Sequence, residues 1–167
     1  GFETFQQESL NEIGKTTNKI KDYKKAVNLI HSEDMIVIGD FMFGFDTDTT
    51  NVFTTTLSML KQLHIDVADF TILTPFPGTP LFTQLQKQGR ILTTNWEEYT
   101  MFNPVFQPKQ MTPEQLQQGV KLLYQQFYSP KHSLSRIIQN IPHGMYPFTA
   151  AATRNLLASF NTNFFTR

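Results

Sequence analysis

Apolar positions along the first 90 residues recur with two different periods. From Gln6 to His31 the residues Leu10, Ile13, Ile20, Ala26, Val27 and Ile30 fall at roughly helical spacing. This predicts one helix, or two helices broken near Gly14, with Lys15, Lys19, Lys21, Lys24 and Lys25 turned to water. Met35–Phe43 is then a near-continuous run of β-branched and aromatic residues ending at Gly44, the pattern of a parallel strand buried on both faces. Val67–Leu73 reads the same way. Between them Asp46-Thr-Asp-Thr-Thr50 offers helix-capping side chains, and Val52, Leu57, Leu60 and Leu63 continue as a helix over 49–64. Strand, helix and strand in this order predict a right-handed βαβ unit with a parallel sheet. Gly1-Phe-Glu-Thr4, which leads straight into a helix, reads as the end of a further strand.

The pattern changes near residue 90. Thr74-Pro-Phe-Pro-Gly-Thr-Pro-Leu81 predicts a sharp turn into a short helix over Leu81–Gln88, capped by Thr79 and stopped by Gly89. Trp96, Tyr99, Phe102 and Phe106 are then spread through an irregular stretch broken by Pro104 and Pro108. Thr112-Pro-Glu-Gln115 is a capping box that opens a helix to Tyr128, Ser129-Pro130 opens another to Asn140, and a last helix is predicted from Pro147 to Phe160. The fold class is α/β: alternating strands and helices with a parallel sheet over 1–90, then an aromatic-rich segment and a helical extension over 91–167. One strand stub and two strands are too few to close a barrel or make a robust open sheet, so the first half reads as part of a larger α/β domain. Gly1 in the place of an initiator Met leads to the expectation that chain lies upstream.

Composition narrows the functional classes. The 167 residues suit one domain, and 14 Lys plus Arg against 14 Asp plus Glu leave no net charge to attract nucleic acid or anionic lipid. The longest apolar run, Met35–Phe45, is interrupted by Asp40 and is too short for a membrane span, and no signal sequence opens the chain. A cytoplasmic location is expected. Cysteine is absent, which excludes disulfides, thiolate catalysis, thiolate zinc sites and any iron–sulfur cluster held by this polypeptide. The four histidines show no metal-ligand spacing.

In parallel α/β folds ligands bind at the carboxyl ends of the strands, so Gly1–Thr4, Gly44–Thr50 and Thr74–Thr79 should converge on one rim. On that rim Asp46 and Asp48 are either metal ligands or, more plainly, one helix cap and one solvated carboxylate. Glu3 is either a ligand-binding carboxylate or a cap for the next helix. Trp96, Tyr99 and Phe102 either line a substrate pocket or pin a loop to the body of the domain.

At these three segments the sequence resembles the later part of the radical S-adenosylmethionine (radical SAM) superfamily. Gly1-Phe2-Glu3-Thr4 with Leu10 and Lys15-Thr-Thr-Asn18 resembles the fourth strand and its helix. Gly39-Asp-Phe-Met-Phe-Gly-Phe-Asp-Thr-Asp-Thr49 resembles the fifth strand and its turn, and Leu73-Thr-Pro-Phe-Pro-Gly-Thr-Pro-Leu81 the sixth. Gly89-Arg-Ile91, Trp96-Glu-Glu-Tyr99, Pro108-Lys-Gln-Met-Thr112 and Phe127-Tyr-Ser129 resemble a C-terminal extension of radical SAM proteins that often carry a cobalamin-binding domain.

The resemblance implies a partial (β/α)6 barrel whose first strand carries a Cys-x3-Cys-x2-Cys loop for a 4Fe–4S cluster. That cluster cleaves S-adenosylmethionine reductively to a 5′-deoxyadenosyl radical. It implies that Glu3 and Lys15 contact S-adenosylmethionine, that Met42 packs on adenine, and that main-chain groups around Leu73, Thr74 and Pro75 bond it. Pro75 has no amide hydrogen, so only its carbonyl or its neighbours can take part. Asp40 and Thr47 depart from the Gly-x-Ile-x-Gly-x-x-Glu pattern common in the fifth strand, where a Gly and a Glu are usual.

Two functions follow. In the first, the chain is the C-terminal half of a radical SAM enzyme, with cobalamin-dependent methyl transfer among the outcomes; it is inactive alone, and Trp96, Tyr99 and Phe102 contact a small-molecule substrate. In the second it is a non-catalytic α/β interaction module, a split or truncated half-barrel that folds by association. Both expect the exposed strand edge to be covered by the missing N-terminal half-barrel or by a second copy.

Overall fold

The computed structural model describes residues 1–141 and 144–161, with side chains described as far as residue 157. Helices α1 (Gln7–Glu12) and α2 (Ile20–Ser32) precede strand β1 (Ile38–Phe43); α3 (Val52–Leu63) leads to β2 (Val67–Ile72). Then come α4 (Pro80–Lys87), a 3-10 turn over Trp96–Glu98, α5 (Pro113–Phe127), α6 (Pro130–Gln139) and α7 (Met145–Asn161).

The predicted helix over 6–31 is two helices, and the break falls where Gly14 takes a φ of 74°. β1 and β2 pair in parallel, Ile38 opposite Val67 through Phe43 opposite Ile72, which is the predicted βαβ unit. Glu3 forms a parallel bridge to Phe41 on the other side of β1: its amide donates to the Asp40 carbonyl at 2.9 Å and its carbonyl accepts from the Met42 amide at 2.8 Å. The order is therefore Gly1–Thr4, β1, β2, all parallel.

The expectation that both strands are buried on both faces is corrected. Phe41 and Phe43 of β1 and Ala68, Phe70 and Ile72 of β2 point into the core with α3 and α5, whereas Ile38, Asp40 and Asp69 are exposed and Met42 and Thr71 are half-buried. Among the described residues helices cover one side of the sheet only. The side facing outward here is the one that would face the lumen if further strands curled the sheet into a barrel.

Packing on the covered side is aromatic. Phe70 lies edge-on to Tyr124 and Phe127, with ring centres 5.0 and 5.8 Å away. Gly119 of α5 lets Phe53 approach so closely that a Cβ there would sit 2.1 Å from the ring. The capping box forms as predicted, with the Thr112 hydroxyl accepting from the Gln115 amide and the Gln115 side chain accepting from the Thr112 amide.

The outer edge of β2 is occupied. The Tyr124 hydroxyl accepts from the Phe70 amide at 3.0 Å, the Tyr128 hydroxyl exchanges both bonds with Ala68, and the Met101 carbonyl accepts from the Ile72 amide at 2.7 Å. Gly1–Thr4 has a strand neighbour on one side only among the described residues; on its other side the Phe2 carbonyl accepts from the Tyr23 hydroxyl at 2.8 Å and the Gly1 carbonyl from Asn18 Nδ2 at 3.0 Å.

At the amino ends of the strands Asp66, 5 % exposed, gathers the last two helices. Its carboxylate accepts from the Val37 amide at 2.8 Å and from Asn140 Nδ2 at 2.7 Å, and lies 2.9 Å from His31 Nε2; its carbonyl accepts from Asn155 Nδ2 at 3.1 Å. Asn155 in turn accepts from Arg136, whose guanidinium sits 3.8 Å from the centre of the Phe127 ring and whose pKa burial pulls down to about 10.

Candidate functional site

The carboxyl ends of the strand stub, β1 and β2 meet at one rim, as the βαβ geometry requires. Glu3 adopts a positive φ of 67° there, and its carboxylate forms an ion pair with Lys15, a lysine expected to face water. Positive φ costs a β-substituted residue about 1 kcal/mol or more, and the two backbone bonds to β1 hold the strained residue in place. Met42 follows Glu3 across the sheet, half-buried and opposite Thr71. Glu3, Lys15 and Met42 thus come together.

Leu73 continues the ladder, its amide donating to the Phe43 carbonyl at 2.8 Å. The Thr74 hydroxyl turns back to the Ile72 carbonyl at 3.0 Å, and Pro75 is buried. Beside this row lies a cavity of about 380 Å³, lined by Phe45, Asp46, Leu73, Leu81, Leu85 and Phe106 among others, a volume in the range of small-molecule sites. Of the residues expected to contact S-adenosylmethionine only Leu73 reaches it.

Neither of the two sequence readings holds for Asp46 and Asp48. The N-cap of α3 is Asn51, with no side-chain cap bond. Asp48, 1 % exposed, turns the other way and accepts from the Gly44 and Phe45 amides at 2.8 and 3.1 Å, and from Gln6 Nε2 at 3.2 Å. Burial outweighs those two amides and pushes its pKa up to about 6. Asp46 is not solvated either: Arg90 grips it with both guanidinium nitrogens at 2.8 and 3.3 Å, and Lys109 Nζ lies 2.6 Å away. Burial pushes that carboxyl up, but the bonds and charges of Arg90 and Lys109 more than offset it, so its pKa lies below the ordinary range. Among the described residues no three His, Asp or Glu side chains are grouped to hold a metal ion.

The aromatic segment splits. Tyr99 is 8 % exposed, donates its hydroxyl to the Thr93 carbonyl at 2.8 Å and packs 5.1 Å from Trp96 and 6.5 Å from Phe76, which is the loop-pinning geometry. Trp96 and Phe102 are 53 % and 38 % exposed, and the bond from Ile72 to Met101 sets this segment directly beside the end of β2. Sequence reasoning missed the Asp46 cluster, because its members lie 44 and 63 positions apart (90 − 46 and 109 − 46).

These features define an α/β protein with its candidate ligand row at the carboxyl ends of parallel strands and a helical extension packed around them. A family profile described as a domain of unknown function, DUF4070, matches residues 79–164. The chain belongs to that family and to the radical SAM superfamily it resembles.

The chain is 30% identical over 137 residues to the bacteriochlorophyllide d C-12(1)-methyltransferase of Chlorobaculum tepidum, covering 82% of this chain and 30% of that protein. It is 33% identical over 145 residues to an uncharacterized methyltransferase of Pyrococcus horikoshii, covering 86% of this chain and 31% of that protein. It is also 30% identical over 131 residues to the anaerobic magnesium-protoporphyrin IX monomethyl ester cyclase of Cereibacter sphaeroides, covering 78% and 21%. The chain thus spans less than a third of the length of these relatives. Among the described residues no helix is long and apolar enough to cross a membrane.

Proposed function

We propose that these residues form one wall of an S-adenosylmethionine site in a radical SAM enzyme acting on a large, mainly apolar substrate. The observation that carries this reading is the row Lys15, Glu3 and Met42. An ammonium and a carboxylate already in contact suit the zwitterionic amino-acid end of S-adenosylmethionine, each able to exchange its partner for the opposite group of the ligand. The half-buried Met42 thioether offers a polarizable surface for a purine ring. Backbone groups near Leu73 and Thr74 supply hydrogen bonds, and the Pro75 carbonyl can accept but its nitrogen cannot donate.

A 4Fe–4S cluster would supply the electron for cleavage, and the absence of cysteine means that its ligands lie in another stretch of polypeptide. What this chain contributes is orientation: a charged pair for one end of the ligand and an apolar contact for the other. The open face of the sheet and the one-sided Gly1–Thr4 strand support a reading in which further parallel strands complete the wall.

Trp96 and Phe102, exposed beside the end of β2, are proposed as substrate contacts, with Tyr99 as their support. The tetrapyrrole compounds named for two relatives fit such an aromatic surface, and methyl transfer, with or without cobalamin, is the favoured outcome. The non-catalytic reading, association through the Gly1–Thr4 edge without chemistry, is the alternative.

The test is co-expression with the cysteine-bearing half, followed by anaerobic reconstitution. A brown complex that releases 5′-deoxyadenosine under reduction, and loses most of that activity in Met42→Asp and Glu3→Gln, is expected. A colourless complex that does not bind S-adenosylmethionine would favour the interaction module.

A further inference from the structure

The turn that follows β1 is gripped from two sides. On one side α1 holds it: Gln6 donates to Asp48, and the Ser9 and Thr47 hydroxyls lie 2.5 Å apart. On the other side the segment after α4 reaches back over it. Arg90 binds the Asp46 carboxylate through two nitrogens, Lys109 binds it through its ammonium, and Gln110 Nε2 donates to the Asp46 main-chain carbonyl at 2.7 Å.

Arg90 has no freedom left. Its Nε donates to the Gln107 carbonyl at 2.7 Å, one terminal nitrogen also donates to Gln88 Oε1 at 3.0 Å, and its guanidinium lies 5.8 Å from the centre of the Phe106 ring. The side chains of Arg90 and Asp46 are only 12 % and 20 % exposed, so this is a partly desolvated, bidentate pair rather than a surface contact. Three residues from two separate stretches of the extension therefore end on a single residue of a single turn. Asp46 is also the central residue of Gly44–Asp48, whose two ends are joined by the Asp48 carboxylate and the Gly44 and Phe45 amides.

We infer that Arg90, Lys109 and Gln110 are positioning residues that lock the extension onto the Gly44–Asp48 turn through Asp46, so that docking of the extension sets the ligand rim. The inference rests on the reading of that rim as the S-adenosylmethionine wall. It goes beyond that reading in giving the extension a part in ligand affinity although none of the three residues is proposed to touch the ligand. Met42 lies on β1 two residues before Gly44, where the turn begins, so a turn that drifts carries the end of β1 with it.

The test compares wild type, Asp46→Asn and Val120→Ala in the complete natural polypeptide that carries this sequence. Val120 is buried in α5 and serves as a control for general loosening. Amide exchange at residues 44–48 and binding of S-adenosylhomocysteine by calorimetry are read on each. Loss of preorganisation in Asp46→Asn is expected to speed exchange across the turn and to weaken binding roughly tenfold, while Val120→Ala does neither. Unchanged exchange at 44–48 in Asp46→Asn would overturn the lock. Faster exchange with undiminished binding would overturn the positioning role while leaving the rim reading intact. Failure of the wild type itself to bind S-adenosylhomocysteine would remove the rim reading, and the inference with it.

Discussion

The Tyr128 hydroxyl and the Ala68 backbone form a closed pair: the hydroxyl donates to the Ala68 carbonyl at 2.7 Å and accepts from the Ala68 amide at 3.1 Å. A neighbouring strand would satisfy the same two groups. Tyr124, one helical turn earlier on α5, serves Phe70 in the same way through its amide alone. The helix thus stands in for a strand along β2, and burial raises the pKa of both phenols, Tyr124 to about 12. Among the described residues the expected exposed edge is therefore not on the β2 side.

Tyr128→Phe should leave both Ala68 groups without a partner in a fully buried position, at a cost of about 2–3 kcal/mol, and Tyr124→Phe about 1 kcal/mol. Urea unfolding gives the ranking, and exchange of the Ala68 amide should quicken only in the first variant. Equal stabilities would show that the hydroxyls contribute nothing to the edge.

The two carboxylates of the β1 turn should respond to pH in opposite directions. The folded pKa of Asp46 is depressed, so its contribution is present above its unfolded pKa and is lost as pH falls through the folded one. Asp48 is raised from 3.8 to about 6, so its ionisation burdens the fold fully above about 6 and is relieved as the solution is acidified toward 4. Removing the ionisation in Asp48→Asn should recover up to the order of 3 kcal/mol at neutral pH, less the loss of one amide partner. Unfolding free energies measured from about pH 4.5 to 7.5 should show a flatter profile than wild type. An unchanged slope would count against the buried ionised state.

Gly119→Ala places a methyl group 2.1–2.4 Å from ring atoms of Phe53, and overpacking of this kind costs roughly 3 kcal/mol. Phe53→Leu in the same chain should return part of that loss, so a double-mutant cycle is expected to be strongly non-additive. Additive effects would mean that α3 and α5 slide apart freely at this contact.

Asp66→Ala strips acceptors from the Val37 amide and Asn140 Nδ2 in a buried site, a loss of about 3 kcal/mol. Protease sensitivity should rise in α6 and α7 before it rises in α3. Uniform sensitivity along the chain would show that Asp66 is not what anchors these two helices.

Much of the layout was legible because it is local. The capping box at Thr112, the Thr79 cap, the break at Gly14 and the two strands each follow from a few adjacent residues. Burial was not, since a near-continuous apolar run looks the same whether one face or two are covered, and among the described residues Ile38 stays exposed and Met42 half-buried on the face that no helix covers. The convergence of strand ends in a parallel sheet pointed to Glu3, whereas Lys15 and Met42 were reached only through the family resemblance. Asp46 and Asp66 were beyond reach for a different reason: a carboxylate shows its partners only after residues far along the chain have folded back to it. Tyr124 and Tyr128 were visible as an i, i+4 pair on one helix face, but nothing local says that the face meets a strand edge.

Asp66 also bears on the order of assembly. Its partners lie 29, 35, 74 and 89 positions away in the chain, at Val37, His31, Asn140 and Asn155. Loops of such length close slowly, and the gain from these bonds arrives only when the loops have closed. During synthesis the βαβ unit, with the bond from the Val37 amide to the Asp66 carboxylate, can form once β2 has emerged, but the Asp66 carbonyl stays with water until residue 155 has left the ribosome. The base of the sheet is accordingly the last part of the domain to become dry.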